Sequence, residues 1–527
     1  MRVIVIGAGV GGLSAAIALA GAGVETVLIE GASSPGGKMR GVNVGEGPPI
    51  DGGPTVFTMR WAFDELFEAA GARLDDWTRL EPLAILARHA WPDHPRSAPG
   101  DSFDLHADLG RAEDAVAAFA GPPEAKRYRR FCERARTIYD TLERTYMADQ
   151  KPDPLTLARR IGPTRLRALW NVAPLQTMAG SLGMIFTDPR LRQLFGRYAT
   201  YCGSSPYLAP QTLMLVAHVE QAGVWSVAGG MHGFAADLDR FAAHLGVERR
   251  YGEEVSEILV EHGRASGVRL AGGDTLRADA IISNADVSAY AAGALGPQVE
   301  SAAPPTAPRD RSLSAFVWTL RAETAGFPLI RHNVFFSADY RKEFADIFER
   351  GRTPAAPTVY VCAQDRPGAD APRPLGPERL QILTNAPARA DWAPFTAQEI
   401  AECETATFET LARAGLEIQR RAADQTLTTP NDFAAAYPAT GGAIYGRANH
   451  GLTASFQRPG AQSRIPGLYL ASGSAHPGPG VPMAALSGRL AASALMADRA
   501  STPRFRPAGI SGGTSTGSRK TAVSGSR

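Results

Sequence analysis

Cysteine is scarce in this chain. Cys132, Cys202, Cys362 and Cys403 are the four in 527 residues, scattered and without a Cys-x-x-Cys pair. That excludes a disulfide framework and a cysteine-built zinc site, sets the expectation of no metal, and fits a reducing compartment. Long apolar runs are also missing: no unbroken run of apolar side chains reaches the roughly 18–20 residues needed to cross a bilayer. Met1-Arg2 precedes only a short apolar run, so no secretory signal is expected. The expected location is cytoplasmic, with any membrane contact peripheral. Charge is nearly balanced, at +2 overall, which gives no general attraction to nucleic acid. At 44% hydrophobic and 20% charged the chain is globular in composition, and its length exceeds a single core.

Against these absences stand the first thirty residues, MRVIVIGAGVGGLSAAIALAGAGVETVLIE. The apolar run Val3–Ile6 enters Gly7-x-Gly9-x-x-Gly12, an Ala-rich helical pattern follows, and a second run, Thr26–Ile29, ends on Glu30. This is the strand–turn–helix–strand fingerprint of dinucleotide binding. Gly7 permits the tight turn, Gly9 leaves room for a pyrophosphate, and Gly12 lets helix and strand approach. The helix N-terminus offers N–H groups to the phosphates, and Glu30 is spaced to accept from the ribose hydroxyls. A second glycine loop, Gly36-Gly37-Lys38-Met39-Arg40, and the turn Asp51-Gly52-Gly53-Pro54-Thr55 come next. Lys38 or Arg40 would offset phosphate charge. No second strand–GxGxxG–helix unit occurs later, which argues against a separate pyridine-nucleotide domain. The expected cofactor is therefore FAD.

The rest of the chain divides into an expected order. Residues 1–75 give the first part of the FAD-binding domain and 76–225 a helical region for substrate and membrane contact. Residues 226–300 return to the FAD-binding domain, 301–460 form a substrate domain rich in strand alternation, and 461–500 close the FAD site. Residues 501–527, rich in Gly, Ser and Thr, read as a disordered tail. Between Lys151 and Arg197 eight basic residues, Arg159, Arg160, Arg165 and Arg167 among them, face only Asp153 and Asp188. Apolar residues such as Leu155, Leu166, Leu169, Trp170 and Met184 are interleaved at helical spacing. The pattern suits a helix in an anionic bilayer interface, or equally an ordinary solvated arginine face. Near the end, Leu468–Ala471 runs into Ser472-Gly473-Ser474-Ala475-His476-Pro477-Gly478-Pro479-Gly480-Val481-Pro482-Met483 and a final Ala-rich helix.

These pieces together resemble the bacterial phytoene-desaturase-type carotenoid desaturases over about residues 1–497. They are the N-terminal fingerprint, Asp51–Thr55, Gly229-Gly230-Met231, Ile282-Ser283-Asn284-Ala285-Asp286, His332–Phe336, Thr358–Cys362 and the closing His476–Pro482. The last, with its continuation to Arg489, is most similar to the 1-hydroxycarotenoid 3,4-desaturases. The implied fold class is α/β. An FAD-binding Rossmann-like domain of the amine-oxidase and carotenoid-desaturase type is interleaved with a mixed β-sheet substrate domain and a helical membrane-facing region. The resemblance implies FAD as the only redox cofactor, a hydrophobic C40 carotenoid as substrate, and a place at the inner or photosynthetic membrane surface. A hydride would leave an allylic C–H for flavin N5 and a proton the neighbouring carbon. Phytoene desaturase, carotenoid isomerase and another amine-oxidase-type flavoenzyme are the alternatives on this scaffold. No motif identifies the electron acceptor.

The resemblance adds Val255, Gly473, Ser474, Val481 and Met483 to the cofactor contacts expected at Gly7, Gly9, Gly12, Glu30, Gly36, Gly37 and Lys38. His476 is the catalytic candidate, with a loop-locking hydrogen bond as its competing role. His332 and Asn333 read as structural, and Tyr128, Arg129, Arg130 and Asp140 as a solvated helix face.

Overall fold

A computed structural model describes residues 1–95, 97, 100–172, 176–366 and 374–501, with 166–172 and 501 given by backbone alone. The tail past 501 and residues 367–373 of the Pro-rich link lie outside the described residues.

Strand β1 (Arg2–Ile6), helix α1 (Val10–Gly21) and strand β2 (Glu25–Glu30) form the fingerprint unit. Strands from Glu248–Tyr251, Ala280–Ser283 and Leu468–Leu470 complete a parallel five-stranded sheet. Its order is 248–251, β2, β1, 280–283, 468–470. Val3, Ile4 and Val5 are apolar in succession because both faces of the sheet are covered. Helix α1 packs on the C-terminal helix Val481–Ser501, and a Cβ added at Gly488 would lie 2.0 Å from the Gly11 carbonyl oxygen. The two helices therefore meet backbone to backbone, which accounts for their Gly/Ala-rich faces. Phe57, Phe63, Phe67, Phe234 and Phe241 fill the same core, the last stacked 4.4 Å from Phe67.

The second large sheet is antiparallel except for one parallel pair. It runs Leu416–Gln419, Ser314–Gly326, Glu378–Ala386, Val359–Ala363, His332–Phe335, Ile85–Ala90, Phe103–His106, with Gln425–Thr428 paired beside Ser314–Gly326. Two of these strands come from the 76–225 region expected to be helical. The period-two signal is present there: Phe103 and Leu105 are buried while Asp104 and His106 are not. Phe103–His106 pairs with Ile85–Ala90, and Ile85–Ala90 joins the sheet by pairing with the distant strand His332–Phe335. Helices Leu109–Ala120, Pro122–Leu142, Pro154–Val172, Met178–Ile185, Pro189–Gly196 and Leu215–Gln221 form the remaining layer over the sheet. The Pro154–Val172 helix breaks at Gly162, whose φ is 76°, just before Pro163.

Candidate functional site

The glycine turn is held by main chain. Gly7, at φ 90°, donates its N–H to the Ile29 carbonyl at 2.7 Å. Gly9 caps α1 in extended conformation, and no side chain caps the helix, so its first-turn N–H groups await an outside acceptor. The Glu30 carboxylate accepts from Ala8 N at 2.6 Å and from Ala32 N at 2.9 Å, which fixes the acid at the tip of β2. Gly36 N donates to the Ala8 carbonyl at 2.9 Å, laying the second glycine loop over the first. Gly36 and Gly37 have φ of 117° and 56°, conformations that side chains resist. Gly252 N and Glu253 N bond to the carbonyls of Ala32 and Glu30, so the segment leading into Val255 is tied to the end of β2. A Cβ at Gly9 would sit 2.7 Å from the amide nitrogen of Asn284. An open helix N-terminus, a fixed acid and a cradle closed to any side chain fit the adenosine-diphosphate half of FAD.

Lys38, expected to offset phosphate charge, is also engaged by the protein itself. Its amine donates to the Ile444 carbonyl at 2.9 Å and lies over the Tyr437 ring, and burial lowers its pKa despite the nearby charge of Asp286. Arg40 bonds to Thr428 and covers Phe433. Both bind the glycine loop to the segment from Thr428 to Ile444. Asp51 accepts from Met231 N and His232 N, each at 2.9 Å, so one motif caps the helix opened by the other.

The C-terminal loop is braced by a residue that sequence reasoning missed. Arg458, 1% exposed, donates to the carbonyls of Tyr445 and Gly473 at 3.3 Å, Ser474 at 3.5 Å, and Arg447. Ser474 Oγ accepts from Val287 N at 3.0 Å, which joins this loop to the 283–287 turn. Val481 and Met483 begin the final helix, where Met483 packs with Met59, Tyr139 and Met147. His476 Nε2 donates to the Asp149 carbonyl at 2.9 Å, and its ring meets Tyr146 edge-on at 4.7 Å. Burial takes its pKa down to about 4, with Lys151 and Arg160 contributing. A neutral, tethered imidazole is a loop lock and a poor base.

Between these loops, the second sheet and the helical layer lies a polar cluster from four segments. Tyr360 Oη sits 2.7 Å from both Thr55 Oγ1 and His332 Nδ1. Arg197 lies 5.4 Å over the rings of Tyr201 and Tyr360 and donates to Tyr201 Oη at 3.2 Å. Tyr201 and Tyr198 in turn donate to Glu220, each at 2.7 Å. Burial pushes the Tyr201 and Tyr360 phenols well up, raises Glu220, and takes His332 down to about 3. Asn333 is structural as expected, bonded to both backbone groups of Ile330 and to the Val361 carbonyl. On the Pro122–Leu142 helix, Tyr128 is buried core, Arg129 pairs with Glu113, and Asp140 pairs with Arg136 at the surface. Nothing in the sequence pattern brought Arg197 and Tyr360 together. Among the described residues no cluster of His, Cys, Asp and Glu could hold a metal.

Comparison with known proteins agrees with this geometry. The family model of flavin-containing amine oxidoreductases matches residues 10–496. A hydroxyneurosporene desaturase from Rubrivivax gelatinosus is 50% identical over 525 residues, 99% of this chain and 98% of that one. That alignment reaches into the tail expected to fall outside any resemblance. A second hydroxyneurosporene desaturase, from Cereibacter sphaeroides, is 46% identical over 504 residues, 95% of this chain and 99% of that one. Among solved structures, an oxidoreductase from Methanosarcina mazei matches with a TM-score of 0.58 at 16% identity, over 94% of this chain and 100% of that one, which shows the shared fold.

Proposed function

The chain belongs to the flavin-containing amine oxidoreductase family, and we propose that within it the protein is an FAD-dependent carotenoid desaturase acting at the C-3,4 bond of 1-hydroxy carotenoids. The observation that carries this is near-full-length identity to two hydroxyneurosporene desaturases. The chemistry supplied by bound FAD is two-electron acceptance, a hydride from the allylic carbon, while the adjacent carbon gives up a proton and the single bond becomes double.

The protein's own residues hold and orient. We assign the pyrophosphate to the α1 N-terminus with Gly7, Gly9 and Gly12, the ribose to Glu30, and the loop over them to Gly36 and Gly37. Val255 follows the segment tied to the end of β2, while Gly473, Ser474, Val481 and Met483 shape the far end. His476 positions the closing loop, and Arg458 fixes that loop against residues 445–447. The polyene itself spreads the positive charge that hydride loss creates, so orientation and exclusion of water are the main demands.

Substrate supply favours a place on the membrane surface. At about 0.8 kcal/mol per carbon, a C40 chain released into water would cost on the order of 30 kcal/mol, so it must be drawn from a bilayer. Met184, Leu208 and Leu452 are large apolar residues exposed on adjoining segments, and Leu155 is exposed at the start of the Pro154–Val172 helix. Arg159 and Arg165 are exposed on that helix. Arg160 is not available to lipid, since it pairs with Asp149 and the Gln150 carbonyl, and the Arg167 side chain lies outside the described residues. No helix among the described residues is long and apolar enough to cross a membrane. Arg159→Glu with Arg165→Glu should reduce co-sedimentation with anionic liposomes while FAD stays bound; undiminished binding rejects the surface assignment.

The functional reading is tested by incubating FAD-loaded protein in liposomes with 1-hydroxyneurosporene and, separately, phytoene. The hydroxylated substrate should give a product absorbing at longer wavelength, and phytoene should remain unchanged. Efficient conversion of phytoene would leave a desaturase but remove the narrow assignment.

A further inference from the structure

Removal of hydrogen from the C-3,4 bond of a 1-hydroxy carotenoid constrains where the hydroxyl is recognised. The oxygen on C1 is separated from C4 by four bonds, one carbon–oxygen and three carbon–carbon, of about 1.5 Å each, so even fully extended it lies within about 5 Å of the reacting carbons. Its partner must therefore share a chamber with the cofactor and cannot lie at the distant end of a channel. A polar group meeting that requirement should be shielded from solvent, keep hydrogen-bonding capacity that the protein does not use, and be connected to the cofactor loops.

Thr55 is so connected. It follows Gly53, where an added Cβ would sit 1.8 Å from the Lys38 carbonyl, and Gly37 in turn abuts Gly9. Arg197 reaches toward Tyr360 from the helical side. Among the described residues it has no carboxylate within ion-pair distance, and its bond to Tyr201 Oη leaves further donors unused. Arg197, Tyr201 and Tyr360 keep accessible surface although they are strongly desolvated, as side chains do when they line an enclosed space. Two adjacent polar atoms have no partner: His332 Nε2, on a residue 3% exposed, and Tyr340 Oη, on one 7% exposed. In the chain His332–Tyr360–Thr55 the protons can run either way, and in both arrangements Thr55 Oγ1 keeps hydrogen-bonding capacity beyond Tyr360, with the weakly bonding Cys362 thiol beside it. Glu220, reached through Tyr201, supplies a compensating carboxyl, which suits a neutral oxygen ligand better than an anion.

We propose that Arg197, Tyr360 and Thr55 form the binding site for the C1 hydroxyl and set the preference for hydroxylated polyene ends. The proposal rests on the desaturase reading above. Arg197 and Thr55 meet the oxygen, Tyr360 fixes Thr55, and His332 fixes Tyr360.

The experiment compares kcat/KM for 1-hydroxyneurosporene with that for neurosporene in liposomes, for the FAD-loaded wild type and for Thr55→Val, Thr55→Ser, Tyr360→Phe and Arg197→Gln. Thr55→Val and Arg197→Gln should lower the hydroxylated-to-plain ratio at least about tenfold, because the lost hydrogen bonds serve only the hydroxylated substrate. Thr55→Ser should restore the ratio. Tyr360→Phe should shift it in the same direction by less, which tests the site even where Arg197→Gln does not fold. A ratio that stays constant across the variants, or falls equally with Thr55→Ser, overturns the site. A wild type that desaturates both substrates without preference also overturns it and leaves the desaturase standing, whereas a wild type that oxidises neither overturns the desaturase reading itself.

Discussion

Around Gly9 the recognising groups are main-chain N–H donors at a helix start, aligned by glycines within the first 37 residues of the chain. Around Arg197 they are side chains from residues 55, 197–201, 332 and 360, brought together by a sheet and a helical layer. A phosphate is the same in every flavoenzyme and is met by geometry that a short motif can encode. A carotenoid terminus varies between enzymes and is met by side chains that substitution can change without rebuilding the fold. A main-chain site of the first kind changes only with the backbone, whereas one of the second kind can be altered by single side-chain substitutions.

The comparison is broken most severely by filling the cradle. Gly9→Val should abolish flavin binding, since its side chain enters both the phosphate space and the Asn284 amide. The readout is the flavin absorbance of the purified protein, and stoichiometric flavin would reject the backbone-recognition account. Next in size is Arg458→Met, which leaves buried carbonyls at 445, 447, 473 and 474 without a donor. A loss of about 3 kcal/mol or more in unfolding free energy is expected, with FAD released in the same transition. If thermal scans show flavin leaving well before unfolding, the clamp serves the cofactor alone. Glu30→Ala should weaken FAD binding by about 1.5–3 kcal/mol, measured by titration of the apoprotein. An effect as large as that of Gly9→Val would mean that a side chain, and not the main chain, dominates the crevice.

The smallest effect sharpens the contrast through pH. Burial holds His89 and His332 at about 3, and His450 and His476 at about 4, against about 6.5 in the unfolded chain. These folded values are depressed, so the stability they contribute is complete above pH 6.5. It is lost as pH falls from 6.5 toward 4 and 3, where the unfolded chain binds more protons. Thermal stability should decline across that window, and His332→Asn should flatten the slope. No titration of a histidine near pH 6.5 should appear in the rate profile; a step there that His476→Asn removes would restore His476 as an acid–base group.

The role of Lys38 shows how far local sequence reaches. Its place after Gly36-Gly37 suggested phosphate, yet its amine is also engaged by the Ile444 carbonyl, more than 400 residues away. Ile85–Ala90 was hidden for the same reason, its partner His332–Phe335 being far along the chain, and Phe103–His106 joins the sheet only through it. His476 was visible as a residue of interest because the closing loop is distinctive, while its bond to Asp149 was not.

What the sequence determined by itself is the cofactor crevice. Turn conformation, helix start and strand-end acid are set by residues within one supersecondary unit, where glycine positions and spacing fix the backbone directly. What only the tertiary structure decided is the polar cluster around Arg197 and Tyr360. Its character depends on which buried polar groups find partners and which do not, and that is settled by packing between segments with no sequence proximity. Arg197 is one of 55 lysines and arginines in the chain, and its enclosure beside Tyr360, with no direct ion-pair partner among the described residues, sets it apart.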